Sequence, residues 1–176
     1  MQLSWSPSAN DGVICENNSL IRFHRDKSAL VTTAQKIPNS LKLFTWEATI
    51  TKSSNNVGLG LGFITNRHIF EYWNHTGNII STNMRTGTKN VIACVEEFEK
   101  YDSITLQLKK IDYFGFTTKR EFAFNNITLL KNNKELLSFY VELNDVSPLI
   151  YLKPMIERME RVDVKTNLEL PSVSGQ

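Results

Sequence analysis

The stretch NNVGLGLGF, Asn55 to Phe63, sets Gly58, Gly60 and Gly62 two residues apart with Leu59 and Leu61 between them. A glycine loop that cradles phosphate must run into a helix N-terminus, where free backbone N–H groups point at the anion. Here the glycines lead into Phe63-Ile64-Thr65-Asn66-Arg67-His68, which has no helical apolar repeat, no Gly-Lys-Ser/Thr ending and no third glycine at dinucleotide-fold spacing. Strict alternation of apolar and side-chain-free positions is a strand signal. Glycine inside a strand marks a face over which another backbone or a large side chain sits close. The segment therefore predicts a strand, and a nucleotide enzyme is not argued.

Strand signals continue on both sides. They are read at Gly12–Glu16, Ser19–Phe23, Leu30–Thr33, Leu41–Thr51, Val57–Ile64, Ile69–Trp73, Asn78–Thr82, Val91–Val95 and Ser103–Lys109. Four more follow at Thr118–Phe124, Ile127–Leu130, Ser138–Leu143 and Leu149–Leu152. Phe44, Trp46, Ala48 and Ile50 share one face of their strand, and Ile104, Leu106 and Leu108 do the same on theirs. Turn signals punctuate the run at Ser53–Asn56, Thr86–Thr88, Asn125-Asn126 and Lys131–Asn133. Many short strands with almost no helix predict an all-β antiparallel sandwich or barrel. The only helical turn expected in the body is Glu96–Lys100. After Pro154, Met155, Ile156, Met159 and Val162 fall at helical spacing before the chain turns polar. The expected organisation is thus a β-sandwich domain over 1–154 and a short helix or tail over 155–176.

Composition is that of an ordinary soluble domain: 176 residues, 41% hydrophobic and 22% charged. Twenty basic side chains against 18 acidic ones leave a net charge of +2, too balanced to argue for nucleic acid or an anionic membrane as partner. The N-terminus lacks the basic start and apolar middle of a signal peptide, and no apolar run is long enough to span a bilayer. Cys15 and Cys94 lie in apolar surroundings and are expected as buried free thiols of a cytoplasmic, intracellular protein. A monomer is expected.

Catalysis needs a convergent nucleophile, base and orienting group, or a metal shell. His24, His68, His75, Cys15 and Cys94 have no zinc-ligand spacing, and Glu96, Glu97 and Glu99 read as a solvated turn. No enzyme, metal or cofactor is expected. Trp46 is expected in the core, Trp5 as a staple for the first strand, and Trp73 as core in preference to a binding floor.

Laid end to end, the segments resemble the SPRY domain, and within that family the members that carry a SOCS box. LSWSP (3–7) is similar to the family's entry segment, NNSLIRFHRDKSALVTT (17–33) to its turn and L-x-F-H-R strand, and FTWEATI (44–50) to its aromatic strand. NVGLGLGF takes the place of its V-G-V-A strand, and EYWNHTG (71–77) that of its E-S-W segment. YDSITLQLKK and REFAFNNITL resemble its late hairpin, and LLSFYVEL stands where its last core strand reads L-Y-P-V-V. The likeness covers about residues 3 to 153. Its usual glycine before Asp102 is Tyr101 here, and nothing after Pro154 looks like a SOCS box, so recruitment of a ubiquitin-ligase scaffold does not carry over.

The resemblance implies a concanavalin-like jelly-roll sandwich that binds a protein or short peptide through loops at one end, as a substrate-recruiting or scaffolding module. It implies a pocket drawn from Arg25, Lys27 and Ala29, from the loop Thr65 to Phe70 with Arg67 and Phe70, from Tyr72, and from Leu143, Asn144 and Asp145. Lys27, where the family has proline, implies a preference for an acidic ligand. The plainer alternative for Arg25 is a solvated charge, and for Phe70 a core position. Two competitors remain open on the residues alone. A lectin-like carbohydrate-binding sandwich would use Trp73, Asn74, His75 and Arg67, although the galectin H-x-N-P-R stretch is absent; a jelly-roll hydrolase ranks below it.

Overall fold

The computed structural model describes residues 3–6, 13–16, 19–23, 28–52, 57–114, 121–154 and 161–168. Among them there is no helix, and fourteen strands succeed one another along the chain. These are β1 (Trp5–Ser6), β2 (Val13–Glu16), β3 (Leu20–Phe23), β4 (Ala29–Thr33), β5 (Leu43–Lys52), β6 (Val57–Ile64) and β7 (His68–Trp73). Then follow β8 (Asn78–Asn83), β9 (Lys89–Cys94), β10 (Ser103–Phe114), β11 (Glu121–Lys131), β12 (Lys134–Glu142), β13 (Ser147–Pro154) and β14 (Val162–Asn167). The first sheet runs β1-β4-β13-β6-β7-β8-β9 and the second β12-β11-β10-β5-β14-β3-β2, every pairing antiparallel. Two seven-stranded sheets packed face to face make the expected sandwich.

Period-two patterning builds the core. Phe44, Trp46, Ala48 and Ile50 of β5 all face inward and are at most 4% exposed. Ile104, Leu106 and Leu108 of β10 meet them in register, Leu106 directly beside Trp46. Burying each such side chain contributes about 1.5–3 kcal/mol. Trp5 staples the two-residue β1 across the sandwich: its ring meets Trp46 edge-on at 5.5 Å, and its indole N–H donates to Thr166 Oγ1 at 2.9 Å.

Several expectations change. Val162–Asn167 is not helix or tail but a strand inserted between β5 and β3. Its Val-Asp-Val-Lys-Thr-Asn alternation puts Val162 and Val164 in the core, and that period of two outweighs a helical reading carried largely by Met155, Ile156 and Met159, which lie outside the described residues. Asn125-Asn126 is no turn, because β11 runs straight through it. The Asn125 amide is buried and donates to Leu143 O at 2.8 Å, while Asn126 Nδ2 donates to Ser138 Oγ at 2.8 Å. The hairpin turns instead at Asn132-Asn133, both at positive φ, as the Lys131–Asn133 signal predicts. Glu96–Lys100 is irregular chain anchored by the buried Phe98, not a helical turn. Cys15 is half-buried and Cys94 is exposed, since Cys94 lies on an edge strand.

β6 is the fourth of seven strands in its sheet, and it is buried on both faces from Val57 to Phe63. Leu59, Leu61 and Phe63 enter the core, and the three glycines line the opposite face. A Cβ on Gly60 would lie 3.0 Å from both Glu71 Oε2 and Trp73 Cε2; on Gly62 it would lie 1.6 Å from the backbone oxygen of Phe70. The glycines are there because neighbouring groups already occupy their side-chain space.

Candidate functional site

The β6–β7 hairpin turns at Thr65–His68. Thr65 closes it: its N–H donates to His68 O at 2.8 Å, and its hydroxyl oxygen accepts from the N–H groups of Arg67 at 3.1 Å and His68 at 3.0 Å. Arg67 O in turn accepts from Met84 N at 2.8 Å, tying the tip to the next hairpin. Asn66 and Arg67 stay exposed. Facing this tip is the β12–β13 connection, in which Asp145 adopts a positive φ of 55°. Leu143 O is held by the buried Asn125 amide, and Val146 O by Ile37 N at 2.8 Å. Both loops are therefore fixed by hydrogen bonds to their backbones, while Asn66, Arg67, Glu142, Asn144 and Asp145 remain exposed.

Between them lies a cleft of about 450 Å³ lined by Thr65, Asn66, Arg67, His68, Glu142, Leu143, Asn144 and Asp145. It brings together Arg67, Leu143, Asn144 and Asp145 of the residues singled out in the sequence. Arg25 and Lys27 lie outside the described residues. Three others do not line it. Ala29 is 1% exposed on β4, opposite Leu152 of β13. Tyr72 is equally buried; its ring packs on Phe98 at 4.8 Å, its hydroxyl donates to Glu96 O, and burial raises its pKa. Phe70 points between the sheets to Phe139 at 6.0 Å. The alternation of β7 decides this: Phe70 and Tyr72 are two apart and share the core face, so they cannot be surface anchors. Glu142 joins the cleft without any sequence signal, being one polar residue at the end of an alternating strand.

Of the residues considered for a sugar site, Trp73, Asn74 and His75 lie together, but Arg67 does not join them. Arg67 precedes β7 and Asn74 follows it, so the six-residue strand separates them by about 20 Å. Trp73 is 8% exposed, edge-on to Tyr151 at 5.6 Å and to His75 at 6.3 Å, so it offers no open platform. The Asn74 side chain is engaged with β6, accepting from Leu59 N at 2.8 Å and donating to Val57 O at 3.0 Å.

Glu71 is the one charged side chain of the first sheet that is almost wholly buried, beside Trp73 and over Gly60. Desolvation pushes its pKa up to about 7, and the nearby Lys89 partly opposes that. Among the described residues no three histidine, cysteine or acidic side chains come together as a metal site. No helix among them is long and apolar enough to cross a membrane.

The sequence matches no family profile and no curated protein. Solved structures do match in three dimensions. The SPRY domain of human HERC1 aligns with a TM-score of 0.65 at 15% identity, covering 96% of this chain and 100% of that domain. A second human SPRY domain aligns at 0.62 with 9% identity, covering 96% of this chain and 99% of the other. Carbohydrate-binding module 66 from Bacillus subtilis aligns at 0.52 with 8% identity, over 94% of this chain and 93% of the module. These likenesses single out no SOCS-box branch, and at such identities they speak for architecture alone: the chain folds as a SPRY-like, jelly-roll β-sandwich.

Proposed function

We propose that this protein is a non-catalytic binding module that recognises a protein surface or short peptide in the cleft between Thr65–His68 and Glu142–Asp145. The observation that carries the reading is the meeting of two sequence-distant loops, each pinned by hydrogen bonds from a side chain to its backbone, around one polar concavity. A preformed cleft loses little freedom on binding, which is what recognition without chemistry requires. Among its described groups a guanidinium on one wall faces two carboxylates on the other, so the ligand presents both charge signs or a row of backbone amides. The acidic preference rests on Arg25 and Lys27. A role in scaffolding or substrate recruitment would follow from such binding.

A displayed random-peptide library and a glycan array, both probed with the full chain, test this reading. Peptide binding that Arg67→Ala and Asn144→Ala each weaken is the expected result. Glycan binding insensitive to both substitutions would replace it with the carbohydrate reading, which the fold likeness to a carbohydrate-binding module keeps in view.

A further inference from the structure

A sandwich of two open sheets has four edge strands, and each edge offers unpaired backbone groups to any extended chain. Here the edges are β1, β9, β12 and β2. β1 is two residues long. β2 has four residues and ends on Glu16, which is ion-paired to Arg22 at 3.0 Å. β12 begins with Lys134-Glu135 and ends with Glu142, charges that discourage a neighbour. β9 has no such protection beyond Lys89 at its start. Its Asn90-Val91-Ile92-Ala93-Cys94 is an uncharged run in which Val91 is 59% and Ile92 44% exposed, and Met84 of the preceding hairpin adds a side chain 46% exposed. The bulge at Ile92 bends this edge against β8 without covering either side chain.

Charge is distributed unevenly along β9. Arg85 and Lys89 stand at its entry, while Glu97 and Glu99 are exposed just past its exit. Glu96 is already occupied by Lys131 and Lys134, and Lys100 lies over the Tyr101 ring at 4.9 Å. Antiparallel pairing of two β9 strands about a two-fold axis would set each basic entry against the other's acidic exit and the two apolar runs against each other. A parallel pairing would set like charge on like. We propose that β9 is the docking edge for a second copy of this chain, joined antiparallel so that the two first sheets form one continuous sheet. The cleft lies on the loops of Thr65–His68 and Glu142–Asp145, so each copy keeps its own. The dimer is the alternative to the monomer expected from the sequence, and it is argued from a free edge, which is a property of topology.

Sedimentation across a concentration series of the full chain tests the inference. Wild type should pass from monomer to dimer, with the dimer weakened by added salt. Val91→Lys, placing a charge on an already exposed position, should raise the dimer Kd roughly tenfold or more with thermal stability unchanged. Tyr140→Lys on β12 should leave it alone. Lys89→Glu and Glu97→Lys should each weaken the dimer, and the double variant should restore it, a rescue that misfolding cannot produce. Wild type that stays monomeric, a dimer indifferent to Val91→Lys, or one broken by Tyr140→Lys overturns the assignment; folded swaps without rescue overturn the antiparallel charge pairing.

Discussion

The β6–β7 hairpin contains two regions built on opposite principles. Along its length the chains approach so closely that Gly62 has no room for even a Cβ, and the outer face carries the buried Glu71 and Trp73. At its tip Thr65 satisfies the turn's backbone with its own hydroxyl and leaves Asn66 and Arg67 in solvent. The body holds by the absence of side chains, and the tip presents them to solvent. Substitutions should therefore be felt as stability in the first and as affinity in the second.

The largest effect is expected where backbone meets backbone. Gly62→Ala places a methyl 1.6 Å from Phe70 O, and no rotamer change relieves that, so β7 must move. A loss of roughly 3 kcal/mol is expected in denaturant unfolding. Gly60→Ala meets only side-chain atoms of Glu71 and Trp73 at 3.0 Å, which can shift, and should cost clearly less. Equal losses at the two positions would break the distinction between backbone approach and side-chain crowding.

Glu71 sharpens the contrast through pH. Its carboxyl titrates at about 7 in the folded protein against 4.5 for the ordinary group. The folded state therefore holds the proton more tightly, and the associated stability is fully present below about pH 4.5 and lost as pH rises through about 7. Glu71→Gln removes that dependence. The stability of wild type relative to the variant should fall by about 1–3 kcal/mol between pH 5 and pH 8, read by chemical denaturation at each pH. A pH-independent difference would mean that the carboxylate is well solvated.

These cases also show which parts of the molecule were legible in the sequence. Alternation gave away β5, β6 and β10 because each sends every second residue into the core, and the glycine spacing foretold close approach. β14 was hidden because Val162 also completes a helical pattern with Met155, Ile156 and Met159, which masks the period of two over Val162–Asn167. At the cleft, loop membership was legible but side-chain direction was not. Phe70 and Tyr72 look like surface anchors until the parity of β7 is known, and Glu142 becomes a wall only through the sheet that carries it there.

Tyr101 reverses the logic of Gly62. The resemblance places glycine at this position, and the backbone adopts φ 75°, a conformation that costs a side-chain-bearing residue about 1–2 kcal/mol. Its N–H donates to Ile50 O at 2.9 Å, which holds the turn in place, and the residue is 69% exposed. Tyr101→Gly should therefore stabilise the fold, by about 1 kcal/mol after the greater freedom of glycine in the unfolded chain is counted. An unchanged or lowered thermal midpoint would mean that the ring's contact with Lys100 outweighs the strain.

The smallest effect on stability should come from the tip and the wall it faces. Arg67 and Asn144 are exposed, and among the described residues neither makes a side-chain bond that holds its loop: the first loop is closed by Thr65 and the second by Asn125 and Ile37. Arg67→Ala and Asn144→Ala should each shift unfolding by no more than about 0.5 kcal/mol. Asn125→Ala should cost roughly 1–2 kcal/mol, because it strips a buried carbonyl of its donor and frees Leu143 without touching any ligand. The three variants separate contact from positioning. The first two should weaken a selected peptide by about 1–3 kcal/mol at nearly unchanged stability, whereas Asn125→Ala should lower both together. If instead Arg67→Ala destabilised the fold as much as Asn125→Ala does, the tip would be part of the framework, and the division between a closed body and an open end would be lost.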